Sequence, residues 1–311
     1  MTNLIDLITP TNLDLEREKF FASSHYNPTF HYTWQDREPN AEFEYFTKQN
    51  LWEAIKNQDH NDIMRSASRL FEVQIDADTL LEAKQVATTK GKTSSGSASE
   101  YIELMNRAFE YFDIKDIKVL MSEESGFNVR PKHEDKVILV SKHIHFEYFS
   151  MEGGVRHELV HVIRDKNSHF NHIKRVPNYL PTEEGLASWC QDNTNDDNGA
   201  AQHAIEYVGS SVGLSGSLRD IFDCMCELGM SPDLAWKRSS RHKFGFVDTA
   251  LPGDILKPAM YYANEINVAK MSTAEKLRLF VGKISMTDLS TYPIYTGIWQ
   301  PEKLIKYFNL I

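Results

Sequence analysis

The run His157-Glu158-Leu159-Val160-His161 sets two histidines four residues apart with a glutamate beside the first. On a helix, positions four apart share one face at about 6 Å along the axis, so both imidazoles can address one ion. Glu158 then falls close to that ion's open position. Two neutral imidazoles, a carboxylate and an open position for water are what a hydrolytic zinc site uses, and a second carboxylate accepts the water's proton. Zinc, which lowers the pKa of bound water to about 7, is the cofactor this pattern calls for. At about 100° per residue, Val155, Leu159 and Val162 fall opposite His157, His161 and Arg164, so one face can be buried while the other lines a cleft. The third ligand must come from elsewhere. Leu180-Pro181-Thr182-Glu183-Glu184-Gly185-Leu186-Ala187 offers Glu183 or Glu184 on a second helix, with Thr182 as its expected N-cap. A first-turn glutamate also complements the helix dipole, which is the ordinary role for Glu183.

Taken together, these segments carry a family resemblance. His157-Glu158-Leu159-Val160-His161-Val162-Ile163-Arg164-Asp165-Lys166-Asn167, followed by Pro181-Thr182-Glu183-Glu184-Gly185-Leu186-Ala187, is similar to the microtubule-associated tyrosine carboxypeptidase family. Its bacterial members carry a Gln-Glu-Gly-Leu-Ala motif whose first position is Glu183 here. Asn27-Pro28-Thr29-Phe30-His31-Tyr32 resembles an N-terminal segment of the family and Leu279-Phe280-Val281-Gly282-Lys283-Ile284 a C-terminal one; the likeness is strongest over residues 155–188. The resemblance implies a metallopeptidase that removes an aromatic C-terminal residue, tyrosine or phenylalanine, from a protein or peptide tail. It further implies zinc held by His157, His161 and Glu184, with Glu158 as general base. The choice of Glu184 also follows the Glu-Gly-Phe-Ala type segment that supplies the third ligand in zinc aminopeptidases. Where the family has Ile-Gly-Thr between the glutamate and the second histidine, this chain has only Leu159-Val160, the ordinary one-turn spacing. An aminopeptidase or endopeptidase, and a metal-stabilised binding or regulatory protein on the same fold, are the alternatives.

A carboxypeptidase must neutralise its substrate's terminal carboxylate, which a guanidinium does with a bidentate fork. Arg164, Lys174 and Arg175 are the cations placed to do so, and Tyr261 is a candidate hydroxyl for the tetrahedral intermediate. His169 and His172 are further candidates for proton donation, and Asn167 either matches a family position or stops the helix. The basic stretches at 156–175 and 237–243 would draw in an acidic, tubulin-like tail if they rim the cleft.

The elements that must position these residues are mostly helical. Apolar residues recur at helical spacing over 51–86 with a break near 57–61, and a further helix is expected over 100–111. Short apolar runs at 117–121 and 136–141 predict a small sheet beside the His-Glu helix. Residues 200–208, 218–228 and 273–280 read as helices with glycine stops at Gly209, Gly229 and Gly282. The class is α+β. Residues 1–99 are expected as a wrapping segment and helices ending in a flexible Thr/Ser/Gly/Lys loop, and 100–311 as the catalytic domain, or all of 1–311 as one integrated domain.

The formal charge of −10, from 34 basic and 44 acidic residues, argues against nucleic acid and anionic membrane as partners. Three unevenly spaced cysteines give no disulfide framework, and neither a signal peptide nor a membrane span is evident. These features predict a cytoplasmic protein, or one exported without a classical signal.

Overall fold

A computed structural model describes residues 4–37, 39, 41–43, 45–89, 96–124, 128–132, 135–144, 146, 148, 150–193 and 199–311. The centre of the expected flexible loop, residues 90–95, lies outside them. In chain order the elements begin with helices α1 (Leu4–Ile8), α2 (Leu13–Ala22), α3 (Thr33–Asp36), α4 (Phe46–Asn57), α5 (His60–Phe71) and α6 (Ala77–Ala87). Helix α7 (Ala98–Tyr111), strands β1 (Lys118–Ser122), β2 (Val129–Lys132) and β3 (Val137–Ser141), and helices α8 (Met151–Phe170) and α9 (Tyr179–Asp192) follow. The chain continues through α10 (Gly199–Gly213), α11 (Leu218–Glu227), α12 (Pro232–His242), α13 (Lys257–Ala269), α14 (Thr273–Leu279) and α15 (Pro301–Phe308). It is a mostly helical α+β chain with one three-stranded sheet among the described residues. No described helix is long and apolar enough to cross a membrane.

The chain packs as two compact units. The first takes residues 1–88 and 203–264, the second 89–202 and 265–311. In the first, the break expected near 57–61 is made by Gln58 in the left-handed region and by Asp59, whose side chain accepts from the Asp62 amide to cap α5. Residues 4–37 hold helices α1, α2 and α3, yet 27–32 is extended as expected. The Phe30 amide donates to the Val247 carbonyl, and the Tyr32 hydroxyl donates to Phe246 O while accepting from the Gly245 amide. These bonds join 203–264 to the N-terminal stretch. Gly229, with φ of 96°, ends α11 as expected, but α10 runs on through Gly209. A Cβ at Gly209 would come within 2.7 Å of Met225 Cε, so the helix packs closely there instead of stopping.

The second unit holds the His-Glu helix. Its sheet has the order β1-β3-β2, with β1 parallel and β2 antiparallel to β3. Strand β2, which the apolar runs did not predict, contains Pro131, tolerated because β2 is an edge strand. The sheet packs chiefly on α7, and α7 in turn packs on α8, so the sheet supports the site helix through an intermediate layer. Val155, Leu159, Val160, Val162 and Ile163 of α8 join Leu186, Ala187 and Cys190 of α9 in one core. Fully burying each large aliphatic side chain is worth about 1.5–3 kcal/mol, which fixes α8 against α9. Ser150 caps α8 by accepting from the Gly153 amide at 2.9 Å. At the other end of the helix, the Ser168 hydroxyl accepts from the Lys283 amide, and Asn167 donates to Phe280 O and accepts from the Ile298 amide. Asn167 therefore clamps the C-terminal segment, and the helix continues past it to Phe170.

That clamp brings Gly282 against α8, where an added Cβ would meet Ser168 Oγ at 2.8 Å and Ile173 Cδ1 at 3.2 Å. Gly282→Ala is expected to destabilise the chain by about 1–3 kcal/mol through overpacking. A lower urea midpoint at an unchanged slope of unfolding free energy checks it.

Candidate metal centre

Helix α8 presents His157 and His161 on one face with ring centroids 5.1 Å apart. Helix α9 supplies Glu184, whose Oε2 lies 3.5 Å from His157 Nε2 and 3.6 Å from His161 Nε2. The three side chains can each offer one ligand atom, all within 4.8 Å of one another. Donors about 2.0–2.2 Å from a tetrahedral ion lie roughly 3.3–3.6 Å apart, so the two histidine–carboxylate separations suit ligands of one zinc-sized ion. All three residues are half-buried. Glu158 sits between the two histidines in sequence and is also half-buried. Burial raises its carboxyl pKa, His161 and His157 pull it down, and Glu184 pushes it up again; the net shift is upward, toward a stronger base.

Behind the His161 ring lies a second carboxylate. Glu183 Oε1 is 2.9 Å from His161 Nδ1 and accepts from Lys283 Nζ at 2.6 Å, while Oε2 is 3.3 Å from Arg164 Nη1. Glu183 is 3% exposed, so it is no first-turn surface acid. Burial would raise its pKa, but Lys283, His161 and Arg164 hold it well below the usual carboxylate range. Thr182 is also not the N-cap: α9 starts at Tyr179, and the buried Thr182 hydroxyl accepts from the Met286 amide at 2.8 Å. Pro181 stands in the first turn, where its missing N–H costs nothing. The consequence for the acids is geometric. Neighbours on a helix diverge by about 100°, so Glu184 reaches the front of the His161 ring while Glu183 reaches its back.

Arg164, expected at a substrate carboxylate, is completely buried. Its Nε donates to the carbonyls of Leu279 and Gly282, and Nη2 donates to Ile284 O at 2.6 Å. With Nη1 turned to Glu183, the guanidinium is taken up by protein groups and anchors residues 279–284 behind the site. Lys174 and Arg175 are exposed. Arg175 pairs with Asp165 at 3.2 Å, lies over the Tyr179 ring at 5.8 Å, and is raised in pKa by Tyr179, Asp165 and Glu183 against the lowering effect of burial. His169 and His172 are exposed as well. Tyr261 belongs to the first unit, where it stacks on His203 at 5.5 Å and accepts from Lys257 Nζ at 3.2 Å. Sequence reading missed Glu183 and Lys283 as partners of the site. The adjacent pair of glutamates was the available signal for Glu183; none marked Lys283.

Two imidazoles and a carboxylate converging on one point, with a further acid on the same helix, define a candidate mononuclear metal centre suited to hydrolysis. The chain is 24% identical over 308 residues to human microtubule-associated tyrosine carboxypeptidase 1, and 23% identical over 299 residues to its mouse and rat counterparts. Each comparison covers 91% of this chain, which spans about 60% of the length of these curated relatives. No protein-family model matches the chain.

Because Arg164 is a buried cation shared between Glu183 and three carbonyls, its removal leaves charge and lone pairs uncompensated. Arg164→Met is expected to cost about 3–5 kcal/mol, the usual penalty for breaking one side of a buried pair. Equilibrium urea unfolding of the metal-free chain measures it; a loss below about 1 kcal/mol would mean that the pairing contributes only as much as a surface ion pair.

Proposed function

We propose that this chain is a zinc carboxypeptidase removing a C-terminal residue, tyrosine or phenylalanine, from a protein or peptide tail. The observation that carries the reading is the convergence of His157, His161 and Glu184 within 4.8 Å on two packed helices, with Glu158 beside them. The similarity to proteins named tyrosine carboxypeptidase supports action at a C-terminus, and their microtubule association supports an acidic, tubulin-like tail as partner. Such a substrate, together with three free cysteines, agrees with a cytoplasmic setting.

His157, His161 and Glu184 would hold the zinc, which supplies Lewis acidity and makes a water nucleophilic near neutral pH. Glu158, its carboxyl pKa raised by burial, takes the proton from the attacking water and returns it to the leaving amine. Arg175 replaces Arg164 as the group for the substrate's terminal carboxylate, since it is an exposed residue whose charge interacts with Glu183. Lys174, exposed next to it, adds positive field for an acidic tail.

Peptides ending in tyrosine or phenylalanine, with free or amidated termini, are to be incubated with the purified chain and the products weighed. Release of the last residue from free termini only, abolished by a chelator and restored by zinc, is expected; internal cleavage or a preference for amidated ends would sink carboxypeptidase action. Glu158→Gln should retain about one zinc per chain yet lose turnover by a factor of roughly 10²–10⁴, the usual worth of a general base. Equal turnover of variant and wild type removes Glu158 from the mechanism. Arg175→Ala should raise KM for free-carboxylate peptides by about tenfold or more, since a hydrogen bond to a charged group contributes roughly 1.5–3 kcal/mol. An unchanged KM would leave Arg175 without a substrate role.

A further inference from the structure

The surroundings of His161 carry one step more, resting on the zinc reading above. An ionised carboxylate only accepts hydrogen bonds, so Glu183 Oε1, 2.9 Å from His161 Nδ1, requires that nitrogen to carry the proton. The lone pair is then on Nε2, the atom 3.6 Å from Glu184 Oε2. Glu183 cannot swing away, because Lys283 Nζ grips the same oxygen at 2.6 Å while Arg164 faces the other. Lys283 is itself fixed: it is 2% exposed, its amide donates to Ser168 of α8, and its ammonium lies 5.4 Å from the Tyr179 ring centroid.

We infer that Glu183 and Lys283 are positioning residues of the metal centre: Glu183 fixes the tautomer and orientation of His161, and Lys283 acts on His161 through Glu183. Neither touches the ion or the substrate. The C-terminal segment at 279–285, which contributes no ligand, thereby governs how tightly the ion is held. Carboxylate partners of metal-bound histidines orient the ring and raise its basicity.

The test uses the full chain and three readouts: zinc affinity by competition with a chromophoric chelator, the visible spectrum of the cobalt-substituted protein, and circular dichroism to establish folding. Glu183→Gln is expected to weaken zinc binding by about 10–100-fold, the usual consequence of losing such a partner, and to shift the cobalt bands. Glu183→Asp keeps the charge but withdraws it from Nδ1, so it should also weaken binding, and it is the variant to read if the amide unfolds the chain. Lys283→Met should weaken binding in the wild-type background but cost nothing further in the Glu183→Gln background, because its effect passes through that carboxylate. Folded Glu183 variants with wild-type affinity and cobalt spectrum would overturn the inference, as would an undiminished Lys283→Met effect in the double variant. A wild-type chain that takes up no zinc overturns the zinc reading and this inference together, whereas equal binding by wild type and variants removes the inference alone.

Discussion

The acid buried at Glu183 sets the terms for the second unit. Removing a carboxylate from water costs several kcal/mol unless close partners repay it. Here those partners come from separate elements: His161 and Arg164 from α8, Lys283 from the segment after α14. Helix α8, helix α9 and residues 279–285 must therefore meet at one point within hydrogen-bonding distance. The apolar faces of α8 and α9 supply the packing that makes this meeting rigid, and Arg164 extends it by binding three carbonyls of the returning chain. Placing Glu184 at the front of the His161 ring then needs no further device than the next residue of the same helix.

How much of this could be read from sequence depended on the range of the interaction. The helices over 51–86 and the helix before the sheet are local patterns legible from apolar periodicity, and the one-turn histidine pair is a local motif. Strand β2 escaped because four residues containing a proline carry little alternating signal. Thr182 was misread as a cap because caps are inferred from residue type, whereas Pro181 within the first turn allowed the helix to begin earlier. Helical register put Arg164 on the histidine face correctly, but register gives direction and not depth, and at that depth the face is covered by residues 279–284. Glu183 reads locally as a dipole-complementing acid because its decisive partner, Lys283, stands 100 residues away in the chain.

The first unit shows the same limit. The extended character of residues 27–32 follows from Pro28 and was legible, but its partner segment near 247–249 was not, because an isolated bridge such as Thr29 with Asp248 leaves no pattern in either strand. That pairing is one of several contacts that join residues 203–264 to the N-terminal stretch, and each unit is assembled from two separated lengths of chain.

The placement of Lys283 has a consequence for the order of events during synthesis. Lys283, the cation that neutralises Glu183, is made 100 residues after it, well after α8 and α9 are complete. Until then the α8–α9 pair can close only by burying an acid with fewer counter-charges, or by keeping that end of the pair open to water. Bringing Lys283 home also requires closing a long loop, whose entropy must be met before the ion pair gives anything back. Until residues 279–285 pack behind α8 and α9, that end of the helix pair lacks the cation that grips Glu183. Long-range contacts of this kind carry the closure cost that slows folding, and the bond between Glu183 and Lys283 is one of them.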